Sequence, residues 1–87
     1  MKRVLHILKD ANHPEASSVI TKQAERSSND LSILLIQEAV RLQPTLPGKI
    51  YVLEEDAKKR GISSGFEKID YVKMLKLILS SDAVVTW

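Results

Sequence analysis

The chain contains no cysteine in its 87 residues. Without cysteine it cannot form a disulfide, bind a metal through thiolates, use a thiol nucleophile or carry sulfur as a cysteine persulfide. The two histidines, His6 and His13, make a poor metal-binding set when no thiolate accompanies them. We therefore expect no metal site in this chain.

Glycine is also scarce, with three residues in the whole chain. A nucleotide or dinucleotide site needs a glycine-rich turn in which the backbone can approach phosphate. The turn that follows the first apolar segment, residues 9–14, contains no glycine. The serine pairs likewise lack the glycine-flanked turn of a serine nucleophile. We expect no cofactor and no catalytic residue, and therefore not an enzyme.

Long apolar runs are absent. The run at the start of the chain is interrupted by His6 and closed by Lys9 and Asp10, so it is too short for a signal peptide or a membrane span. The net charge of +2 is too small to indicate a nucleic-acid partner. We expect a cytoplasmic protein that contacts neither a membrane nor nucleic acid directly.

What the chain does contain is a regular alternation of short apolar segments and helical patterns. Strands are predicted at Val4–Leu8, Leu31–Ile36, Ile50–Leu53, Phe66–Ile69 and Ala83–Trp87. Helices are predicted from Pro14, at 38–43, at 54–60 with Gly61 at the C-cap, and after Asp70 as N-cap. This order is typical of an α/β domain. We predict one domain over residues 1–87, a three-layer α/β/α fold with a mainly parallel five-stranded sheet.

The predicted helices differ in how much apolar surface they carry. The helix after Asp70 has a broad apolar face, opposite Lys73 and Lys76, formed by Tyr71, Val72, Met74, Leu75, Ile78 and Leu79. The helices at 38–43 and 54–60 are short and carry few apolar residues. We expect them to leave part of the sheet or its flanks poorly covered. Because large bare apolar patches are rare on monomers, another subunit is expected to cover it.

Polar residues cluster where the predicted strands end, which is where open parallel sheets bind ligands. One hypothesis is a small enzyme that uses Asp10, His13 and the acids at 54–56. Acidic residues at helix starts are, however, commonly explained by the helix dipole alone. His6 interrupts an apolar strand, and we expect it to be buried and hydrogen-bonded.

Two further residue sets have alternative interpretations. Asp56 and Arg60 are four residues apart, so they can form a surface ion pair on a helix worth about 0.3–0.5 kcal/mol, or they can contact a partner. Trp87 is the only tryptophan, and its ring can bury roughly 200 Å². We expect Trp87 to pack against its own domain or a neighbour.

The segment KIYVLEEDAKKRGIS, residues 49–63, resembles the TusB/DsrH family in its pattern of Tyr51, Leu53, Asp56, Arg60 and Gly61. The resemblance extends to other parts of the chain. Asp70 and Tyr71 resemble the start of a family helix, Gln37 and Glu38 lie in a segment that resembles the second strand and its turn, and Trp87 resembles the end of the family's terminal strand. The resemblance implies a set of family-motif or partner-contact candidates, which are Gln37, Glu38, Tyr51, Asp56, Arg60, Gly61, Asp70, Tyr71 and Trp87.

The resemblance implies a DsrE/DsrF/DsrH-like fold and a role in cytoplasmic sulfur relay. In the TusB branch, the relay supplies persulfide sulfur for 2-thiolation of the wobble uridine of tRNA. The implied partners are TusC/DsrF-like and TusD/DsrE-like subunits, of which the latter carry the reactive cysteine. This chain, lacking cysteine, is then a non-catalytic subunit. The alternatives are a stand-alone homo-oligomeric DsrE-like binding domain and a DsrH-like subunit in sulfur oxidation.

Overall fold

The computed structural model of the chain describes residues 2–10, 14–26, 30–42, 44–63 and 65–87. Five strands form one sheet: β1 (Arg3–Leu8), β2 (Asp30–Leu35), β3 (Lys49–Leu53), β4 (Glu67–Ile69) and β5 (Ala83–Thr86). Their order is β4-β3-β2-β1-β5, and every pairing is parallel. The predicted α/β class and the predicted parallel sheet are confirmed.

The helical elements lie between the strands in the predicted order. They are α1 (Pro14–Arg26), a 3-10 helix (Gln37–Arg41), α2 (Glu54–Lys59) and α3 (Tyr71–Ser80). The segment predicted as a helix at 38–43 is therefore shorter and more tightly wound than expected. The amide of Leu42 closes its last turn on the carbonyl of Ala39 at 3.0 Å, and Leu42 itself is extended.

Two apolar clusters lie on opposite faces of the sheet. One joins strand residues to Ala16 and Ile20 of α1, to Val40 of the 3-10 helix and to Ala57 of α2. The other joins strand residues to the half-buried side chains of α3, which are Met74, Leu77 and Ile78. Because α1, the 3-10 helix and α2 share one cluster and α3 contacts the other, the domain has three layers.

We expected the short helices to leave part of the sheet or its flanks poorly covered, and this expectation was wrong about where the exposed apolar surface lies. Ala39, Val40 and Ala57 are at most 2% exposed, so the short elements close their face of the sheet well. Small side chains allow these elements to approach the strands closely, which compensates for their length. The exposed apolar surface lies instead on α3.

The predicted apolar face of α3 is only partly buried. No residue of this helix is fully buried, and four of its apolar side chains are exposed: Tyr71, Val72, Leu75 and Leu79. In the described part of the chain, α3 is the only helix in contact with the second apolar cluster. A single helix of ten residues lying across a sheet buries one stripe of side chains, and its remaining apolar residues have no layer to pack against.

Both predicted helix caps are confirmed. The Oδ1 atom of Asp70 accepts a hydrogen bond from the amide of Lys73 at 2.8 Å, which is N-cap geometry. Gly61 has φ +64° and follows α2, where the amide of Ile62 donates to the carbonyl of Ala57 at 2.9 Å. This is the hydrogen bond of a Schellman motif, and it requires the left-handed conformation that glycine adopts readily.

Candidate functional site

The turn after β2 is tied to helix α2 by a buried carboxylate. Gln37 has φ +51°, an uncommon conformation for a residue other than glycine, and its amide donates a hydrogen bond to Oδ2 of Asp56 at 2.8 Å. Asp56 is 8% exposed and lies in the first turn of α2. Because β2 and β3 are adjacent and parallel, the turns that follow them meet at one edge of the sheet.

Arg60 makes a second link between the same two turns. Its Nε donates to Oε2 of Glu38, and its Nη1 donates to the backbone carbonyl of Asp56 at 3.2 Å. The predicted ion pair between Asp56 and Arg60 is therefore wrong. The carboxylate of Asp56 is turned inward to the amide of Gln37, and the guanidinium of Arg60 reaches across to Glu38 instead.

Glu38 is contacted by a second arginine. The Nε atom of Arg41 lies 3.3 Å from its Oε1 atom, so both carboxylate oxygens have a guanidinium partner. The hydrogen bond from Arg60 lowers the pKa of Glu38 below its ordinary value of 4.5 against a smaller opposing effect of burial, and the positive charges of Arg60 and Arg41 add to the lowering. A carboxylate with a lowered pKa and two cationic partners is a weak general base. Its charge is suited to recognition rather than proton transfer.

We name these five residues, Gln37, Glu38, Arg41, Asp56 and Arg60, the strand-end cluster. The side chains of Glu38 and Arg41 are about half exposed, at 53% and 48%, whereas that of Arg60 is 24% exposed. The buried Asp56 thus fixes the backbone, and the outer charges face solvent on a fixed support. Such an arrangement can present alternating charges to another protein.

Four of the five members were candidates on sequence grounds: Gln37, Glu38, Asp56 and Arg60. Gly61 follows Arg60 directly, and these two residues come just after the end of α2 at Lys59. Arg41 was missed, although it lies three residues after Glu38, a spacing that allows contact on a helix. The structure therefore brings together candidates from two segments of the chain that are about 20 residues apart.

Tyr51 lies apart from the cluster, in the apolar layer beneath α3. It is 7% exposed, and Lys49 Nζ stands 5.4 Å from the centre of its ring. A hydrogen bond with Glu67, at 3.3 Å, raises the pKa of Lys49, and the nearby Tyr51 adds to this. Tyr51 is therefore a packing residue of this apolar layer.

Asp70 and Tyr71 belong to a separate cleft of about 430 Å³ between the starts of α2 and α3. The other lining residues are Glu54, Glu55 and Lys58. We call it the acidic cleft. Asp70 uses one oxygen to cap α3, and Tyr71 is 48% exposed. The cleft and the strand-end cluster share helix α2 but no side chain.

The described residues of the enzyme hypothesis do not lie together in one site. Asp10 is exposed, Glu54 and Glu55 line the acidic cleft, and Asp56 is buried against Gln37. His13 lies outside the described residues. Within the described ranges, no group of three or more histidine or acidic side chains is placed to hold a metal ion.

Trp87 packs within its own domain, which was one of the two alternatives expected from the sequence. Its Nε1 donates to Nδ1 of His6, which is 1% exposed, and Nε2 of His6 lies 2.7 Å from Oε1 of Gln23. The expectation of a buried, hydrogen-bonded His6 is confirmed. Gln23 was missed, because its spacing on α1 gives no sign of which strand residue it will meet.

None of the helices in the described ranges combines the length and the apolar character that crossing a membrane requires. The chain matches no protein-family model and no curated protein.

Proposed function

We propose that this chain is a non-catalytic subunit of a cytoplasmic sulfur-relay complex, resembling TusB, that supports persulfide transfer for 2-thiolation of the wobble uridine of tRNA. The observation that carries the proposal is the strand-end cluster. The residues that resemble the family pattern in two separate segments, among them Glu38, Asp56 and Arg60, are joined there by hydrogen bonds into one surface.

In this proposal, the absence of cysteine determines which subunits carry the sulfur. A persulfide needs a cysteine sulfur to which the transferred sulfur is bonded, and this chain has none. The sulfur therefore resides on partner subunits of the TusD/DsrE-like and TusC/DsrF-like kinds. This chain binds them and contributes no covalent step.

The strand-end cluster is the proposed contact with those subunits. Surface ion pairs contribute little to stability, so stability alone gives a weak reason for two arginines around one glutamate. Charged groups at the rim of an interface mainly set specificity and association rate. Glu38 and Arg41, which follow a turn that the buried Asp56 ties down through the amide of Gln37, meet that requirement.

The test is to purify the native assembly from source cells through this chain and identify its partners by mass spectrometry. The proposal predicts that cysteine-bearing DsrE- or DsrF-like subunits are recovered with it. An Arg60→Glu variant is expected to lose them, whereas Lys22→Glu, the same kind of charge reversal on the exposed face of α1, retains them. Recovery of the chain only with itself overturns the proposal.

A further inference from the structure

A pocket of about 200 Å³ opens where the strands begin, between the sheet and the C-terminal end of α3. We call it the strand-start pocket. Three neighbouring strands contribute polar side chains to it, which are Arg3 of β1, Ser32 of β2 and Lys49 of β3. Two positions later, each strand carries a member of the second apolar cluster: Leu5, Leu34 and Tyr51. Because alternate residues of a strand share a face, all three polar side chains lie on the face that α3 covers.

The register of the strands places these side chains around one point. Ser32 on the middle strand stands beside Lys49, and Arg3 stands beside Asp30, two residues earlier on β2. Adjacent strands lie about 4.8 Å apart, so the backbones of Arg3 and Lys49 are at least about 10 Å apart on either side of β2. Long side chains that start from both sides can reach a group bound over Ser32.

Hydrogen-bond donors in the strand-start pocket have few acceptors. In the described part of the chain, the side chains of Arg3 and Ser32 make no hydrogen bond. The guanidinium of Arg3 comes no closer than 3.7 Å to Asp30, between Nε and Oδ2, which is too far for a hydrogen bond. Lys49 contacts Glu67 at 3.3 Å, and an ammonium group has three N–H donors. All three strands therefore offer donors to a further acceptor.

The strand-start pocket carries an excess of positive charge. Arg3 and Lys49 line it, and Asp30 is the one carboxylate among its described lining residues. The carboxylate of Asp82 accepts a hydrogen bond from the amide of Arg3 at 2.8 Å and does not line the pocket. The side chains of Arg3 and Lys49 are 61% and 62% exposed, and ion pairs at such positions contribute little to stability. Stability is therefore a weak reason for two cations at this place.

The end of α3 closes one side of the strand-start pocket. Carbonyl groups at the C-terminal end of a helix carry partial negative charge, which disfavours an anion. Here the carbonyl of Leu77 accepts hydrogen bonds from the hydroxyl groups of Ser80 and Ser81 at 3.3 and 2.6 Å. These three residues line the pocket, so the hydroxyl groups partly neutralise the helix end on that side.

We infer that the strand-start pocket binds a small tetrahedral oxyanion, either free phosphate or the phosphate group of a monoester, between Arg3, Ser32 and Lys49. A volume of about 200 Å³ is below the roughly 300–1,000 Å³ of sites for larger ligands, which limits the occupant to an ion or a small head group. A guanidinium can donate to two oxygens of one anion, and an ammonium binds as a point charge. Donors from three strands fit an anion whose oxygens point in several directions better than a planar carboxylate.

This inference does not rest on the proposed function. The strand-start pocket lies where the strands begin, whereas the strand-end cluster lies where β2 and β3 end, and the two share no residue. An anion and a partner subunit can therefore be bound at the same time.

Titration of the purified chain with inorganic phosphate, followed residue by residue by two-dimensional NMR, tests the inference. We expect the amide signals around the pocket to shift and to saturate with a dissociation constant on the order of 1 mM, and chloride at equal ionic strength not to shift them. Arg3→Gln and Lys49→Gln are each expected to weaken binding about tenfold, and Ser32→Ala about threefold. The matched control is Lys68→Gln, which removes an exposed lysine from the other face of β4 and leaves the affinity unchanged.

Glycerol 3-phosphate distinguishes the two sources of the anion. Binding of both ligands at the same signals assigns the pocket to the phosphate group of a larger molecule, whereas binding of inorganic phosphate alone assigns it to the free ion. Arg3 and Lys49 are exposed, so their variants are expected to fold, which circular dichroism establishes. Shifts that do not saturate, or an affinity that both variants share with the wild type, overturn the inference. A chain that binds phosphate but captures no cysteine-bearing subunit contradicts the proposed function alone, and the reverse result contradicts this inference alone.

Discussion

The indole Nε1 of Trp87 donates a hydrogen bond to Nδ1 of His6 across 3.1 Å, and the two rings stack with centroids 6.2 Å apart. The backbone adds a second tie, because the amide of Trp87 donates to the carbonyl of Ile7 at 2.9 Å. His6 lies in β1, between β2 and β5, so the tryptophan is anchored to the interior of the sheet. The acceptor role of Nδ1 leaves Nε2 to carry the proton toward Gln23.

Replacing Trp87 by phenylalanine is expected to lower the free energy of unfolding by about 1–3 kcal/mol, because the buried Nδ1 of His6 loses its donor while ring packing is largely kept. Urea denaturation followed by circular dichroism measures the change. In the wild type, tryptophan emission should lie to the blue of a fully exposed indole and shift to the red on unfolding. A native spectrum identical to the unfolded one contradicts this packing.

Gly48 is expected to be intolerant of any side chain. Its φ is +105°, and a Cβ atom there would lie 2.6 Å from the carbonyl oxygen of Leu31. Gly48→Ala should therefore lower the free energy of unfolding by about 1–3 kcal/mol. Gly65→Ala is the matched control, since nothing lies within 4 Å of its added methyl group, and it should change stability by less than about 0.5 kcal/mol. Equal effects of the two changes would show that the close approach is unimportant.

Asp56 is expected to support the turn at Gln37. Removing the carboxylate by Asp56→Ala leaves the Gln37 amide without its acceptor and should cost about 1–3 kcal/mol in chemical denaturation. Asp56→Asn keeps an acceptor oxygen and should recover part of that loss. The exposed neighbour Glu55 provides the control, and Glu55→Ala should change stability by less than about 0.5 kcal/mol. A loss no larger at Asp56 than at Glu55 would contradict the role of the buried carboxylate.

Glu38 is expected to make stability depend on pH in the acid range. Its pKa is lowered in the folded state, chiefly by the hydrogen bond from Arg60, so its stabilising contribution is complete above the ordinary value of 4.5. That contribution is lost as the pH falls below 4.5 and through the lowered folded-state pKa. Wild type should therefore lose more stability than Glu38→Gln over this range, and the two should converge at the lowest pH. A Glu38→Gln profile parallel to wild type would refute the linkage.

The strands could be predicted from the sequence because each is a short apolar run bounded by polar residues. The order of the strands could not, since no residue pattern says which neighbours pair. The exposure of Leu75 and Leu79 could not be predicted either. Apolar residues at helical spacing give the same sequence pattern whether or not another layer covers them. What distinguishes the two cases is the number of elements that the topology places on that face.

Four of the five members of the strand-end cluster were candidates on sequence grounds, but their contacts were not predicted. The spacing of Asp56 and Arg60 suggested that they pair with each other. Their actual partners, Gln37 and Glu38, lie in a different turn, and only the pairing of β2 with β3 brings the two turns together. The positive φ of Gln37 gave no sequence signal, because glutamine is not a typical residue for that conformation.

The proposed function makes its most direct prediction about tRNA. In cells that lack this chain, the fraction of wobble uridine carrying 2-thiolation should fall sharply when tRNA nucleosides are quantified by mass spectrometry. The wild-type chain and Lys22→Glu should restore it, and Arg60→Glu should not. An unchanged level of 2-thiouridine in the deletion cells would contradict the account.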